Sequence, residues 1–146
     1  MKLTIELIPS TQFNNNVRSL VSRQEWDRIR KNVYRTYGNK CAVCGAPGRL
    51  NAHEIWNFDE ATSVQSLAGM ICLCDLCHHV KHIGFAKILA SQGKLNFDSV
   101  VEHFMSVNCC GVQEFLEHER EAFRLYGERS TRQWKLDISN LAKWTK

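Results

Sequence analysis

Polar and apolar residues alternate over residues 2–8, and this pattern predicts a short strand that ends at Pro9. Farther along, Ser22 precedes Glu25 by three residues, a capping-box pattern that predicts the start of a helix. Apolar residues then recur with helical spacing as far as Tyr37. The first part of the chain is therefore expected to contain a strand, an irregular polar arm and a helix.

The central part of the chain is expected to contain strands followed by a helix. Residues 49–58 predict a strand pair or hairpin, and residues 61–73 predict a connector that ends in an apolar strand. Residues 75–90 predict a helix. This order places two extended segments before a helix within a short stretch of chain.

Two more helices and a strand are expected after this central part. Asn96 or Asp98 can cap one helix, and residues 112–126 form an amphipathic helix that Gly127 is expected to close. Residues 134–138 alternate again, and we expect them to pair with the N-terminal strand. Because no repeat or linker interrupts these patterns, the chain is expected to form a single α+β domain over residues 1–146.

Composition and charge narrow the class of protein. The chain is 44% hydrophobic and 23% charged, which is ordinary for a globular protein. It contains no apolar run of about 18 residues and no apolar stretch at the start, so a cytoplasmic protein without a membrane partner is expected. Residues 1–51 carry nine Lys and Arg against three Asp and Glu. This basic segment is compatible with phosphate binding, although a solvated helix surface has the same composition.

The seven cysteines are the unusual part of the composition, because five of them fall between residues 41 and 77. Four of these five form two Cys-x-x-Cys pairs, Cys41 with Cys44 and Cys74 with Cys77. Two such pairs can surround one cation with four thiolates, and this ligand set is typical of structural zinc. Two separate disulfides are the alternative. The sequence predicts the zinc site.

Histidines cluster around the second cysteine pair. His78 and His82 are four residues apart and therefore lie on one face of a helix, where both rings can bind the same divalent cation. A third ligand must come from another segment. His53 and Glu54 lie between the two cysteine pairs and are the expected source, because the zinc site would fold that segment back toward the helix.

These motifs together resemble the zinc-framed HNH endonucleases. The resemblance covers residues 41–82 and consists of Cys-x-x-Cys, His53-Glu54-Ile55, and the run from Leu73 to His82, Leu-Cys-x-x-Cys-His-x-x-Lys-His. It implies a ββα-metal core at residues 41–82, flanked by residues 1–40 and by a helical extension at residues 83–146. It also implies hydrolysis of phosphodiester bonds with one divalent cation, such as Mg²⁺, Mn²⁺, Ni²⁺ or Zn²⁺.

The resemblance also implies roles for the site residues. His78 and His82 match the family's metal-binding helix. Alignment on Ile55 makes His53 the third metal ligand and Glu54 the general base, whereas a shift by one residue makes His53 the base and leaves Ala52 unable to bind metal. We prefer the first alignment because it keeps three ligands, and Glu54 could then act as base or bind the metal itself.

The expected partner is nucleic acid, in the first place double-stranded DNA. Arg49 and Lys81 flank the motif and are expected to contact phosphates, although both could also be ordinary surface charges. The alternative function is a zinc-framed module that is catalytically weak or inactive and binds nucleic acid or a partner protein. A homodimer remains compatible with the apolar faces of the last helices.

Overall fold

A long antiparallel hairpin lies at the centre of the computed structural model, which describes residues 1–146. Its strands are β1 (Leu50–Asp59) and β2 (Val64–Cys74), and Leu50 pairs with Cys74 at the open end. The connector expected at residues 61–73 does end in a strand, but this strand begins earlier than expected, at Val64. The polar residues of the connector belong to β2 because a third strand covers that part of β2 on its outer edge.

Six helices surround the hairpin. Ser22 caps α2 by accepting a hydrogen bond from the backbone N–H of Glu25, which confirms the predicted start of this helix. Asn96 caps α5 in the same way. Gly127 does not end α6, because its backbone hydrogen bonds continue to Arg129. The helices are α1 (Val17–Leu20), α2 (Arg23–Thr36), α3 (Asp75–Lys81), α4 (Ile83–Ser91), α5 (Phe97–Asn108) and α6 (Val112–Arg129).

The hairpin separates two apolar clusters. Successive side chains of a strand point to opposite faces, so Met70 and Cys72 pack on one side and Leu73 packs on the other. The first cluster contains Ile29 and Val33 of α2, and the second contains buried residues of α3, α5 and α6. The fold is therefore α+β with a small sheet between two helical layers. No helix combines the length and the apolar character that a membrane span requires.

The N-terminal segment is extended but does not form the predicted strand. Leu3 and Ile5 are buried as the alternation requires, yet their backbone groups bind side chains of other elements. The backbone N–H and C=O of Leu3 bind the amide of Asn108, and the N–H of Ile5 donates to Nε2 of His118 over 2.9 Å. Side chains of α5 and α6 thus fix this segment in place of a strand partner.

The last predicted strand exists but has a different partner. Strand β3 (Lys135–Asp137) pairs in parallel with β2, where Val64 lies opposite Lys135. The expected pairing with the N-terminal segment is wrong. The sheet therefore has the order β1-β2-β3, and a 3-10 turn at Ser139–Trp144 follows it.

Candidate metal centres

The four predicted cysteines lie at two turns that meet at the open end of the hairpin. Cys41 and Cys44 belong to the turn after α2, which is attached to the hairpin because the N–H of Ala42 donates to the carbonyl of Cys72 over 2.8 Å. Cys74 is both the last residue of β2 and the N-cap of α3, and its sulfur accepts a hydrogen bond from the N–H of Cys77. The chain thus turns from strand to helix at a sulfur of the cluster.

The four sulfur atoms all lie within 4.8 Å of one another, and Sγ of Cys44 is 3.6 Å from Sγ of Cys74. Zinc–sulfur bonds of about 2.3 Å in a tetrahedron would separate the sulfurs by about 3.8 Å. None of the cysteines forms a disulfide. The cluster is compatible with a zinc site and does not form the two disulfides that were the alternative.

The thiols of the cluster differ in how readily they ionise. Burial opposes ionisation of Cys41, but backbone N–H groups, first that of Cys44, lower the pKa of its thiol to about 7. Burial raises the pKa of Cys74 to about 11, and burial together with the charge on Cys41 raises the pKa of Cys77 well above its usual value. Four thiolates so close together would repel one another, and a bound divalent cation would offset this repulsion.

A fifth side chain contacts the cysteine cluster and was not found from the sequence. Nε2 of His103 in α5 lies 3.1 Å from Sγ of Cys77. Groups that hydrogen-bond to metal ligands orient them and adjust their charge. Only the packing of α5 on α3 brings His103 to this position, and its sequence context contains no motif that signals it.

Three histidines meet beside the cysteine cluster. His53 lies on β1 and faces α3, while His78 lies in α3 and His82 follows its last residue. Their ring centroids are 4.8 to 5.5 Å apart, and one ring nitrogen from each lies within 4.8 Å of the others. This group could hold a metal ion. The structure thus brings together the three histidines that the sequence analysis proposed as ligands.

The chemical state of these rings suits a cation. Burial lowers the pKa of His78 to about 4 and that of His82 to about 3, so both rings are neutral near pH 7, which is the form that ligates metals. His53 is buried, and its Nδ1 atom has no hydrogen-bond partner. Buried polar atoms are almost always paired, and a cation would supply the missing partner.

Glu6 is a further residue at this centre that sequence reasoning missed. Its Oε2 atom lies 3.8 Å from Nε2 of His53, and its Oε1 atom accepts a hydrogen bond of 2.8 Å from Nζ of Lys81. Burial opposes its ionisation, but His53 and Lys81 lower the pKa of Glu6 to about 2. A carboxylate beside a metal-binding histidine orients the ring. Glu6 has no motif of its own, because it lies in the extended N-terminal segment.

Glu54 lies on the opposite face of β1 from His53. Its Oε1 atom accepts a hydrogen bond of 3.0 Å from the N–H of Val17, at the start of α1. Neighbouring residues of a strand point to opposite faces, so the structure does not gather Glu54 with the three histidines. Both Glu54 and His53 nevertheless line one large cavity of about 1320 Å³.

The two expected phosphate contacts occupy different environments. Lys81 is buried, and its ammonium group donates to Oγ1 of Thr4 and to Glu6, so it is not available to a phosphate. This differs from the sequence-based expectation because α3 turns this position inward. Arg49 is exposed at the start of the hairpin, where it lines the cavity and lies 3.8 Å from Asp75.

The chain matches no family of known proteins, no curated protein and no solved structure. The resemblance to zinc-framed HNH endonucleases therefore rests on the motifs at residues 41–82.

The substitution Cys77→Ser should strongly weaken zinc binding at the cysteine cluster. A serine hydroxyl does not ionise near neutral pH, so one of the four ligands is lost. We expect zinc retained after dialysis to fall by about tenfold and the unfolding temperature to fall by at least about 10 °C, measured by elemental analysis and calorimetry. Cys109→Ser, which changes an exposed thiol outside the cluster, is the matched control and should change neither. A Cys77→Ser variant that retains the wild-type zinc content would contradict a zinc site at the four cysteines.

The substitution Glu6→Gln should weaken cation binding at the three histidines by about 10- to 100-fold, because it removes the charge beside His53. Titration calorimetry with Mn²⁺ or Ni²⁺, on protein that retains its zinc, measures this affinity. Thr4→Val is the control, since it removes the hydrogen bonds of the Thr4 hydroxyl to Lys81 and to Glu6 but keeps the charged carboxylate beside His53. Equal affinities in Glu6→Gln and wild type would show that Glu6 does not act on this centre.

Proposed function

We propose that this chain is an HNH-type endonuclease that hydrolyses phosphodiester bonds of DNA. In this proposal the four cysteines hold a structural zinc ion, and His53, His78 and His82 hold the divalent cation used in the reaction. The observation that carries the proposal is the convergence of three imidazoles from a hairpin and the helix that follows it, at the wall of a large cavity. The hairpin–helix order also supports the ββα-metal core that the resemblance implies.

A divalent cation bound by the histidines would lower the pKa of a water molecule and stabilise the charge that develops on the phosphate. The side chains around it have separate tasks. Glu6 orients His53, and Lys81 keeps Glu6 ionised by supplying a buried positive charge. Arg49 contacts a phosphate at the open side of the cavity.

Glu54 is the proposed general base. Its carboxylate lies at the wall of the cavity that also contains His53, and it can accept a proton from a water molecule there. The hydrogen bond from Val17 holds one of its oxygens in place and leaves the other free. The neighbouring α1 thereby positions the carboxylate.

A zinc-framed module with weak or no catalysis is the second candidate. One observation favours it: Glu54 lies on the opposite face of β1 from the three histidines, and one of its oxygens already caps α1. Such a module would use the same cavity to bind nucleic acid or a partner protein without cleaving it.

The substitution His78→Ala should abolish cleavage in a nicking assay. The assay uses supercoiled plasmid and single-stranded circular DNA with Mg²⁺, Mn²⁺, Ni²⁺ or Zn²⁺, and gel electrophoresis follows the products. We expect a loss of at least about 100-fold, because the cation would lose one of three ligands. His79→Ala is the matched control, since His79 is the next residue of the helix and lies outside the cluster. The non-catalytic module would be favoured if His78→Ala and His79→Ala cleave at the same rate. It would also be favoured if the wild-type protein cleaves with none of these cations.

The substitution Glu54→Gln should lower the cleavage rate by about 10²- to 10⁴-fold with the fold intact, because an amide cannot take up the proton. The amide oxygen of glutamine can still accept the hydrogen bond from Val17, so α1 should keep its place. Circular dichroism and the thermal unfolding midpoint check the fold. Unchanged cleavage would assign the role of base to His53 instead.

A further inference from the structure

The cavity in front of the three histidines is large for a small-molecule site. Its volume is about 1320 Å³, against about 300–1,000 Å³ for typical ligand pockets. Its walls come from the N-terminal segment, α1, α2, β1, α3, α4 and α6, and it is open to solvent. Its size and open mouth suit a segment of a polymer better than a single small ligand.

Exposed apolar side chains line this cavity. Phe13 is 58% exposed, Phe85 is 59% exposed and Ile88 is 53% exposed, and all three belong to its walls. The ring of Phe13 stacks against that of Tyr126 with a centroid distance of 6.4 Å. Large apolar side chains that remain exposed in one concave region are typical of a binding surface. A phosphate backbone gains nothing from them, whereas the flat face of a base does.

Positive charge lies in the same cavity. Four arginines line it, Arg18, Arg23, Arg30 and Arg49, against the two acidic residues Asp27 and Glu54. Arg30 is paired with Asp27, but Arg18 and Arg23 are exposed. These guanidinium groups can bind phosphates along a nucleic-acid strand.

Exposed aromatic rings next to free arginines are the combination by which proteins hold single strands. Bases of a single strand stack on the rings, and the phosphates follow the charges. In a duplex the base faces are covered by neighbouring base pairs, so Phe13 and Phe85 would have no partner.

We propose that this cavity binds unpaired nucleotides, so that the substrate is a single strand or a locally unpaired region. This inference rests on the proposed nuclease function for its use of the histidines. It replaces the intact double-stranded DNA that the sequence led us to expect. The contacts described apply equally to DNA and RNA, since they involve base faces and phosphates.

Fluorescence anisotropy with the full-length, zinc-containing protein tests the proposal without relying on cleavage. The probes are one labelled 20-nucleotide sequence as single-stranded DNA, as single-stranded RNA and as a DNA duplex, at one salt concentration and with no added cation. We expect the single strands to bind at least about tenfold more tightly than the duplex. The two single-stranded probes determine which sugar is preferred.

Variants connect this preference to the cavity. Phe85→Ala should weaken single-strand binding by about tenfold and leave duplex binding unchanged, whereas Leu116→Ala, at an exposed apolar residue outside the cavity, should change neither. Duplex binding as tight as single-strand binding, or a single-strand affinity that Phe85→Ala leaves unchanged, would overturn the proposal. A different result would contradict the nuclease function, namely a His78→Ala variant that cleaves as well as wild type.

Discussion

The position where β2 turns into α3 is the constraint on which the rest of the site depends. Cys74 ends the strand, and its sulfur caps the helix by accepting the N–H of Cys77 while it lies beside the other three sulfurs. A cation bound at these sulfurs would fix the direction of α3 relative to the hairpin. His78 and His82 depend on that direction, because His78 lies in α3 and His82 directly follows it, and both face His53 on β1.

The N-terminal segment forms a second support for the histidines. The side chains of Asn108 and His118 bind its backbone, and this attachment places Glu6 beside His53 and Lys81. A buried ammonium group is stable only with a partner, so Lys81 requires the Glu6 carboxylate. This pair connects the first residues of the chain with α3. The histidine cluster therefore has protein contacts on two sides, from the hairpin and from this segment.

Side chains alternate along β1, so its two faces carry different functional groups. His53 faces α3 and the other two histidines, while Glu54 faces α1 and the cavity wall. In the proposed nuclease, the metal ligand His53 and the general base Glu54 are thus adjacent in sequence but lie on opposite faces of β1. The same cavity contains arginines and exposed aromatic rings, so that binding of a strand and reaction at its phosphate would occur in one place.

Much of this could be predicted from local sequence. The cap of α2 at Ser22, the helix capped by Asn96 and the grouping of four cysteines depend on residues close together or on a strong spacing signal. Burial of Leu3 and Ile5 followed from alternation, because apolar periodicity reports which side is covered. Alternation does not show which element packs against the buried side. The expected strand at residues 2–8 and its pairing with residues 134–138 were wrong for that reason.

The placement of Glu6, Lys81 and His103 depended on the packing of separate elements. Nothing near Glu6 in sequence indicates His53, and Lys81 lies between the two helix histidines of the motif, where the sequence suggested a phosphate contact. Helix α3 turns Lys81 inward, and α5 brings His103 to Cys77. Ligand spacing is a local property that a sequence carries directly. The groups around the ligands come from distant segments, and only their packing in three dimensions brings these groups together.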